Sequence, residues 1–371
     1  MEQRVIDTLR SVFELNGFVG IETRAIEPGS SLLKKGETSK EIYLLSRLQE
    51  VGHESETPVE RRLGLHFDLT VPLARYVAAH YNDLVFPFKR YHMSKVYRGE
   101  RPQKGRFRQF TQCDIDILGD PSNSAESELI YVTSLFLDSV GVKGNTVMVN
   151  DRRILKGMAK KAGFAEEDYN DVFIILDKYD KIGEDGVKQE LLDSGFTAES
   201  VETYMTIFHG FLTAEDRFTY VDEAFGDCME PGVADNIRQI FENVALMSGG
   251  RFNLSFDPTL VRGMGYYTGT IFEIKSEDFK GSSIAGGGRY DNLMEALGGP
   301  PIPGVGFGLG IERLLLTMEA AGIEIPEPDS ADVFIAVMGD DAKAFGLKLM
   351  RQLRNAGLHA EMDVLARNIK G

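Results

Sequence analysis

Residues 85–118 read VFPFKRYHMSKVYRGERPQKGRFRQFTQCDIDIL. Two runs rich in strand-forming residues, 85–97 and 106–118, enclose a charged stretch that favours a turn. A strand, a loop and a second strand in this order are typical of an antiparallel sheet. Because helical patterns flank this stretch on both sides, the sequence predicts a chain of the α+β class.

The loop between the two runs carries a strong local positive charge. Residues 89–108 hold eight Lys or Arg and one acidic residue. An isolated charge run is ordinarily a solvated hairpin, but this one lies between two apolar strands. Arg98, Arg106 and Arg108 carry guanidinium groups suited to bidentate contact with phosphate. The polar tip, 101–105, could enter a nucleic-acid groove or fold over a nucleotide.

The overall composition excludes several classes of protein. The chain has 371 residues, enough for two or three domains. Its net charge is −16, which argues against attraction of the whole surface to nucleic acid. Residues 161–250 alone hold 20 acidic and 6 basic side chains, so the remainder is close to neutral. The two cysteines exclude a disulfide framework and a Cys-rich zinc site. No apolar run approaches the length of a membrane span, and the N-terminal residues do not resemble a secretory signal.

Helical and strand patterns precede the opening stretch. Residues 2–16 place apolar side chains on one helical face, and a helix is also predicted over 70–82. Strands are predicted over 18–23, 41–46 and 62–69. The last two strands are expected to form a hairpin, because the residues between them are polar and favour turns.

After about residue 160 the character of the sequence changes. Residues 166–245 are acidic and mostly helical, and no chemistry is assigned to them. Strand patterns return at 251–256, 269–275 and 303–308. The last of these runs directly into a helix predicted over 309–321.

The last part of the chain predicts a β-α-β unit. Residues 322–330 have the composition of a linker. A strand over 332–339, a helix over 341–356 and a strand over 359–364 follow. Two parallel strands do not form a stable domain, so we expect the chain to end inside its last domain.

Three arginines emerge from β-rich segments. Arg98 follows the first run of the opening stretch. Arg262 lies in LVRGMGYYTGTIFE (260–273), and Arg313 ends GVGFGLGIER (304–313). A single Arg in such a strand is ordinarily a salt-bridge partner. Three of them together favour phosphoryl or nucleotidyl transfer, because that chemistry needs several fixed cations to stabilise charge on phosphate oxygens.

Five segments together resemble the class II aminoacyl-tRNA synthetases and, among them, the histidyl-tRNA synthetases. FELNGFVGIETRAIEP (13–28) resembles motif 1, KVYRGERPQKGRFRQFTQCDIDILG (95–119) motif 2, and GVGFGLGIERLLL (304–316) motif 3. LVRGMGYYTGTIFE (260–273) and GGGRYDNL (286–293) resemble the two histidine-specific segments. The resemblance covers nearly the whole chain and departs from the family pattern at His66-Phe67, where the family usually has Arg-Pro, and at Gly265, where it usually has Asp or Asn.

The resemblance implies an antiparallel-sheet catalytic domain with a helical insert, plus a partial α/β domain of the anticodon-binding type. The domain boundaries it implies are 1–160 for the first part of the catalytic domain, 161–248 for the insert, 249–325 for the second catalytic part and 331–371 for the truncated last domain.

The family implies roles for residues at the nucleotide and tRNA end of the site. Arg98 would hold the ATP α-phosphate and the histidine carboxylate, and Arg313 the γ-phosphate. Arg262 would lie opposite Arg98 across the α-phosphate, which makes these two the catalytic residues. Gln103 and Arg106 would contact tRNA.

The family also implies a set of residues for histidine. Asp68 and Thr70 would hold the amino group, with Gln112 beside them. Asp116 and Tyr267 would bind the imidazole. A histidine ring offers an N–H at one nitrogen and an acceptor at the other, and a carboxylate with a tyrosine hydroxyl can satisfy both.

The activity implied is that of a histidine–tRNA ligase. Such an enzyme activates L-histidine with ATP and transfers it to the 3′ end of tRNA-His. The expected substrates are histidine, tRNA-His and ATP with Mg²⁺, without a tightly bound cofactor or a metal held by protein side chains. We also expect a cytoplasmic homodimer that forms through motif 1 and does not associate with a membrane.

Two alternatives remain open from the sequence. A catalytically inert synthetase paralogue acts as the regulatory subunit of ATP phosphoribosyltransferase in histidine biosynthesis. The intact Arg98, Arg262 and Arg313 oppose this alternative, because a regulator needs no ATP-binding arginines. The other alternative is an RNA-binding or sensing module with a different ligand, which would not respond to free histidine.

Overall fold

The computed structural model describes residues 2–32, 41–50, 57–261, 265–278, 283–323 and 331–363. Contacts within the chain divide it into two compact units, residues 2–323 and residues 324–371. Each unit contains a sheet of its own. The predicted linker, 322–330, lies almost wholly outside the described residues.

The strands of the first unit are β1 (Val19–Gly20), β2 (Ile26–Pro28), β3 (Leu63–Leu65), β4 (Phe88–Tyr97), β5 (Gln109–Leu118), β6 (Asn145–Asp151), β7 (Asn253–Phe256), β8 (Thr270–Ser276), β9 (Ala285–Arg289) and β10 (Gly304–Gly310). Eight of them form one sheet with the spatial order β1-β4-β5-β10-β9-β8-β6-β7, and β2 pairs with β3 separately. The sheet is parallel only at its two ends, where β1 pairs with β4 and β6 with β7. The predicted antiparallel sheet is therefore confirmed for its centre.

Twelve α-helices accompany the strands of this unit in the described residues, and six of them connect β6 to β7 along the chain. They are α1 (Glu2–Leu15), α2 (Gly29–Leu32), α3 (Thr70–His80), α4 (Ser124–Ser139), α5 (Arg152–Lys161), α6 (Tyr169–Leu176), α7 (Tyr179–Asp193), α8 (Ala198–Thr213), α9 (Arg217–Phe225), α10 (Val233–Ser248), α11 (Leu293–Ala296) and α12 (Ile311–Ala320). Helix α4 packs against the sheet and contacts α1 and α10. Within the described residues, no helix has both the length and the apolar composition that crossing a bilayer requires.

The first helix follows from its sequence. Helix α1 buries Val5, Leu9 and Phe13, which recur every four residues and so share one face. Gly17, with φ of 79°, follows the end of the helix, because a left-handed residue there costs glycine little. The predicted helix over 2–16 is confirmed.

The strands β4 and β5 form the predicted strand–loop–strand unit. Their pairing runs without interruption from Phe88↔Leu118 to Tyr97↔Gln109. The structure begins both strands three residues later than predicted, at Phe88 and Gln109. Ten paired residues on each strand make this hairpin the framework on which the charged loop is presented.

The predicted strand over 41–46 is wrong. Leu44 makes only an isolated antiparallel bridge to Gly64. The expected antiparallel pairing is present at this one bridge, where the backbone N–H of Leu45 donates to the carbonyl oxygen of Leu63 and that of Leu65 to the carbonyl oxygen of Tyr43. The residues around Gly64 form β3, which also pairs with β2 in the register Ile26↔Leu65, a pairing that local propensity does not predict.

Strand β9 is not among the strands predicted from the sequence. All five of its residues, AGGGR, are buried between β8 and β10. A Cβ on Gly287 would lie 1.9 Å from the carbonyl oxygen of Gly306, so the backbones approach too closely for any side chain. Glycine has low strand propensity, and here the close approach outweighs it.

The second unit forms the predicted β-α-β arrangement. Its elements are β11 (Val333–Ile335), α13 (Asp340–Asn355) and β12 (Ala360–Met362). The two strands pair in parallel, from Val333↔Ala360 to Ile335↔Met362. A crossover helix between parallel strands is the connection such a pair requires.

Candidate active site

A cavity of about 520 Å³ lies over β5, β9 and β10 of the first unit. Eight of the ten predicted site residues line it, namely Asp68, Thr70, Arg98, Arg106, Gln112, Asp116, Tyr267 and Arg313. Gln103 does not line the cavity. Arg262 lies outside the described residues. Residues separated by up to 245 positions along the chain therefore meet at one cavity (Asp68 to Arg313).

Strand β5 supplies three polar side chains to the floor of this cavity. Gln112, Asp114 and Asp116 are spaced by two and share one face of the strand. Glycines of β10 lie opposite, in the register Gly306↔Asp116 and Gly308↔Asp114. A Cβ on Gly306 would lie 2.1 Å from Oδ1 of Asp116. The glycines are therefore needed to leave room for the two carboxylates.

Asp116 is held by two protein partners. Its Oδ2 lies 2.6 Å from Nη2 of Arg90, and both side chains are almost completely buried. The hydroxyl of Tyr290 donates a hydrogen bond to Oδ1. Burial raises the pKa of Asp116, and the charge of Arg90 opposes this rise. A carboxylate has about four acceptor positions, so it can still accept from a ligand.

Asp114 was not predicted as a site residue. It is 3% exposed and lines the same cavity. Nε2 of Gln112 donates to both of its carboxylate oxygens, at 2.9 Å each. Burial raises the pKa of Asp114 to about 7. The spacing of two between Asp114 and Asp116 is the sequence signal that could have identified it.

Arg98 is fixed between aromatic rings and polar groups. Its Nη2 donates to Oε1 of Gln112 at 3.2 Å, and its Nε to the carbonyl oxygen of Phe67 at 3.3 Å. The guanidinium lies 4.5 Å from the ring of Phe67 and 5.0 Å from that of Phe110. Burial lowers the pKa of Arg98, but a guanidinium stays charged in proteins. The cavity thus contains a permanent, oriented cation.

The start of α3 brings Asp68 and Thr70 into the cavity. Oδ1 of Asp68 accepts from the backbone N–H of Val71 at 3.3 Å, which orients the carboxylate at the helix N-terminus. A hydrogen bond joins the side chains of Thr70 and Tyr266, and burial raises the pKa of Tyr266 well above its usual value. Tyr266 lines the cavity beside Tyr267, although adjacent tyrosines in the sequence favour a core role for one of them.

Arg313 meets the charged loop in the first turn of α12. Its Nε donates to the carbonyl oxygen of Gly105 at 2.8 Å, and its Nη1 to that of Ser283 at 3.4 Å. Arg106 pairs with Glu100, at 3.3 Å between Nη1 and Oε2. Backbone hydrogen bonds between Gln103 and Arg106 close the loop, and the Gln103 side chain is exposed. Arg106 faces the cavity, whereas Gln103 marks the outer tip.

Of the residues that depart from the family pattern, Phe67 lines the cavity beside Arg98, whereas His66 and Gly265 are not among its described lining residues. His66 is fully buried, and its Nε2 lies 2.5 Å from the carbonyl oxygen of Lys95. A Cβ on Gly265 would meet no atom within 4 Å among the described residues. The Nδ1 atom of His66 is buried and has no hydrogen-bond partner among the described residues.

Comparison with known proteins identifies the family. A model of the histidyl-tRNA synthetase family matches residues 1–314. The chain belongs to the histidyl-tRNA synthetase family. It is 43% identical to a histidine–tRNA ligase of Bifidobacterium longum subsp. infantis, over 98% of this chain and 81% of that protein. It is 35% identical to the histidine–tRNA ligase of Wolinella succinogenes, over 97% of this chain and 81% of that protein.

Solved structures of this family share the fold. A crystal structure of histidyl-tRNA synthetase from a Nostoc species aligns with a TM-score of 0.84 and 30% identity, over 100% of this chain and 83% of that one. A Bacillus halodurans structure titled as an ATP phosphoribosyltransferase regulatory subunit/histidyl-tRNA synthetase aligns with a TM-score of 0.78 but only 21% identity, over 99% and 89%. The second likeness concerns the fold alone. The class II catalytic fold is confirmed, and the relatives favour the ligase over the regulatory subunit.

Proposed function

We propose that this histidyl-tRNA synthetase activates L-histidine with ATP and transfers it to the 3′ end of tRNA-His. One observation carries the proposal. The oriented cations Arg98 and Arg313 line the same cavity as the carboxylates of Asp68 and Asp116. A cavity lined by both cations and carboxylates suits a phosphate chain and an amino acid with a free ammonium group side by side.

At the amino-acid end, Asp116 and Tyr267 are proposed to bind the imidazole, and Asp68 and Thr70 the ammonium, with Gln112 beside them. Asp116 is buried and already held in one orientation by Arg90, which suits selection. An amino acid without the ring nitrogens would lose its hydrogen bonds to Asp116 and Tyr267, at a cost of about 0.5–3 kcal/mol per bond.

At the nucleotide end, Arg98 is proposed to hold the α-phosphate and Arg313 the γ-phosphate. The described lining residues include eight acidic side chains and three arginines. ATP would be repelled by this excess of carboxylates, so we propose that it enters with Mg²⁺ and that Arg262 adds a further cation opposite Arg98. The histidine carboxylate is already ionised, so attack on the α-phosphate needs positioning and charge stabilisation rather than a protein base.

The partners and organisation are proposed on separate grounds. Gln103 is exposed at the tip of the basic loop, which suits contact with the acceptor end of tRNA, and Arg106 lies beside it. Leu15, Val19 and Ile26 leave apolar side chains exposed within the motif 1 segment, which suits a homodimer interface.

The remaining expectations follow from the family. We propose the domain boundaries 1–160, 161–248, 249–325 and 331–371, a cytoplasmic location, and no tightly bound cofactor. The helices α6 to α10 lie within the proposed insert.

Histidine-dependent exchange of pyrophosphate into ATP tests this function. We expect exchange in the wild-type protein, and its loss in Arg262→Ala without loss of histidine binding, because the partner of Arg262 would be a phosphate. Gln103→Ala should reduce tRNA charging and leave exchange unchanged. A folded wild-type protein that gives no exchange would contradict the proposal.

A further inference from the structure

Asp114 is a buried carboxylate in the cavity for which the family resemblance implies no role. It lies on β5 between Gln112 and Asp116, opposite Gly308 of β10. A Cβ on Gly308 would come within 2.7 Å of Oδ1 of Asp114, so this carboxylate also depends on a glycine for space. Burying a carboxylate is costly unless it makes compensating hydrogen bonds, so its position calls for an explanation.

The hydrogen bonds of Asp114 fix the orientation of a neighbouring amide. Nε2 of Gln112 donates to both oxygens of Asp114, each at 2.9 Å. An ionised carboxylate only accepts hydrogen bonds, and a guanidinium only donates them. The amide of Gln112 lies between the guanidinium of Arg98 and the carboxyl of Asp114, so an ionised Asp114 directs the amide nitrogen toward itself and the amide oxygen toward Arg98.

This orientation determines what Arg98 contacts. Oε1 of Gln112 accepts from Nη2 of Arg98 at 3.2 Å. A reversed amide would bring an N–H against the guanidinium, where two donors meet without an acceptor. The rings of Phe67 and Phe110 limit where the guanidinium plane can lie, and the amide oxygen orients it among these contacts.

We propose that Asp114 is a positioning residue that acts through Gln112 to orient Arg98. The contacts of Asp114, Gln112 and Arg98 join the carboxylate-rich end of the cavity to the arginine proposed to hold the α-phosphate. The inference rests on the proposed function for the role of Arg98. It assigns Asp114 no direct contact with the reacting atoms.

Asp114→Asn tests whether Asp114 orients Arg98 through Gln112, because the asparagine side chain keeps the size of the aspartate but offers one acceptor and one donor. The Gln112 amide can then reverse, and we expect kcat/KM for ATP in pyrophosphate exchange to fall on the order of tenfold to a hundredfold. Asp138→Asn makes the same change at an exposed side chain of α4 that does not line the cavity, and should leave exchange unchanged. Thermal unfolding of each variant establishes that it is folded.

Two further variants separate positioning from a general structural effect. In an Arg98→Lys background, Asp114→Asn should have little additional effect, because both changes disturb the same contact. The double variant Gln112→Glu with Asp114→Asn exchanges the amide and the carboxylate between positions 112 and 114. The carboxylate introduced at position 112 then accepts both from Arg98 and from the amide introduced at position 114, so exchange should recover relative to Asp114→Asn alone.

Two results would overturn the inference. One is an Asp114→Asn effect that stays undiminished in the Arg98→Lys background. The other is a double variant no more active than Asp114→Asn alone. Both results are measured relative to an active wild-type protein. An inactive wild type therefore counts against the proposed function, whereas these two results count against the positioning role of Asp114.

Discussion

At the scale of single residues, Asp116 depends on groups from two other segments of the chain. Arg90 comes from β4 and Tyr290 follows β9, and both hold the carboxylate in the cavity floor. Because Asp116 is proposed to bind the imidazole, loss of a group that orients it should weaken the affinity for histidine more than that for ATP. A purely structural role of that group would weaken both affinities alike.

Tyr290→Phe removes the hydroxyl that donates to Asp116 and keeps the ring. We expect a loss of about 1.5–3 kcal/mol in the free energy of unfolding, because the lost hydrogen bond is to a charged group. The KM for histidine should rise more than the KM for ATP in pyrophosphate exchange. Tyr204→Phe is the matched control, since the buried Tyr204 hydroxyl has no hydrogen-bond partner among the described residues. Equal rises in both KM values would contradict the assignment.

Two buried residues next to each other across β4 and β5 should give opposite pH dependences. Burial and the charges of Arg90 and His66 lower the pKa of His92 to about 3. The unfolded chain then binds a proton that the folded chain does not, so His92 lowers stability as the pH falls below 6.5. Asp114, with its pKa raised to about 7, binds a proton in the folded chain first and raises stability over the same range.

Substitution of either residue should therefore leave the pH dependence of stability that the other residue causes. Relative to wild type, His92→Gln should gain stability on acidification from pH about 7 to about 5, by up to about 1.4 kcal/mol per pH unit. Asp114→Asn should lose stability over this range. Urea unfolding at a series of pH values measures both. Shifts in the same direction in the two variants would be inconsistent with these pKa values.

At the scale of secondary-structure elements, the glycines of β9 and β10 determine whether the cavity can exist. Their absent side chains let β9 approach β10 and let the carboxylates of β5 lie over β10. Both glycine-rich segments form central strands of the sheet, although only that of β10 was predicted as a strand. Glycine is required at positions 287, 306 and 308 because any side chain there would collide with the neighbouring strand, and not because the backbone conformation demands it.

Gly306→Ala should close the cavity floor. Its Cβ would lie 2.1 Å from Oδ1 of Asp116, which Arg90 and Tyr290 hold in place. We expect a loss of about 1–3 kcal/mol in the free energy of unfolding from overpacking, together with loss of histidine binding measured by titration calorimetry. Gly226→Ala is the control, because its Cβ would meet no described atom nearer than 3.9 Å. Unaltered histidine binding in Gly306→Ala would refute this role of the glycine.

At the scale of the whole molecule, charge and contacts are unevenly distributed. The net charge is −16, yet residues 89–108 carry a charge of +7. A strongly acidic chain can therefore present a basic loop to a nucleic acid, since an exposed charge acts over about a Debye length. The average charge of the chain is a poor guide to its partners.

All described residues that line the cavity lie in the first unit, residues 2–323. A chain that ends at Ile323 should therefore keep histidine-dependent pyrophosphate exchange, because no described cavity residue is removed. Circular dichroism would establish that the shorter chain folds. A folded but inactive shorter chain would show that residues 324–371 contribute to activation.

The sequence by itself determined the class of the chain, the strand–loop–strand unit and eight of the polar and charged residues that line the cavity. These features depend on local patterns, such as alternation along a strand, or on motifs of fixed spacing. Only the tertiary structure decided that Leu44 forms no strand, that AGGGR does, and that Asp116 pairs with Arg90 and Tyr290. These outcomes depend on contacts between segments distant along the chain, which local patterns do not encode.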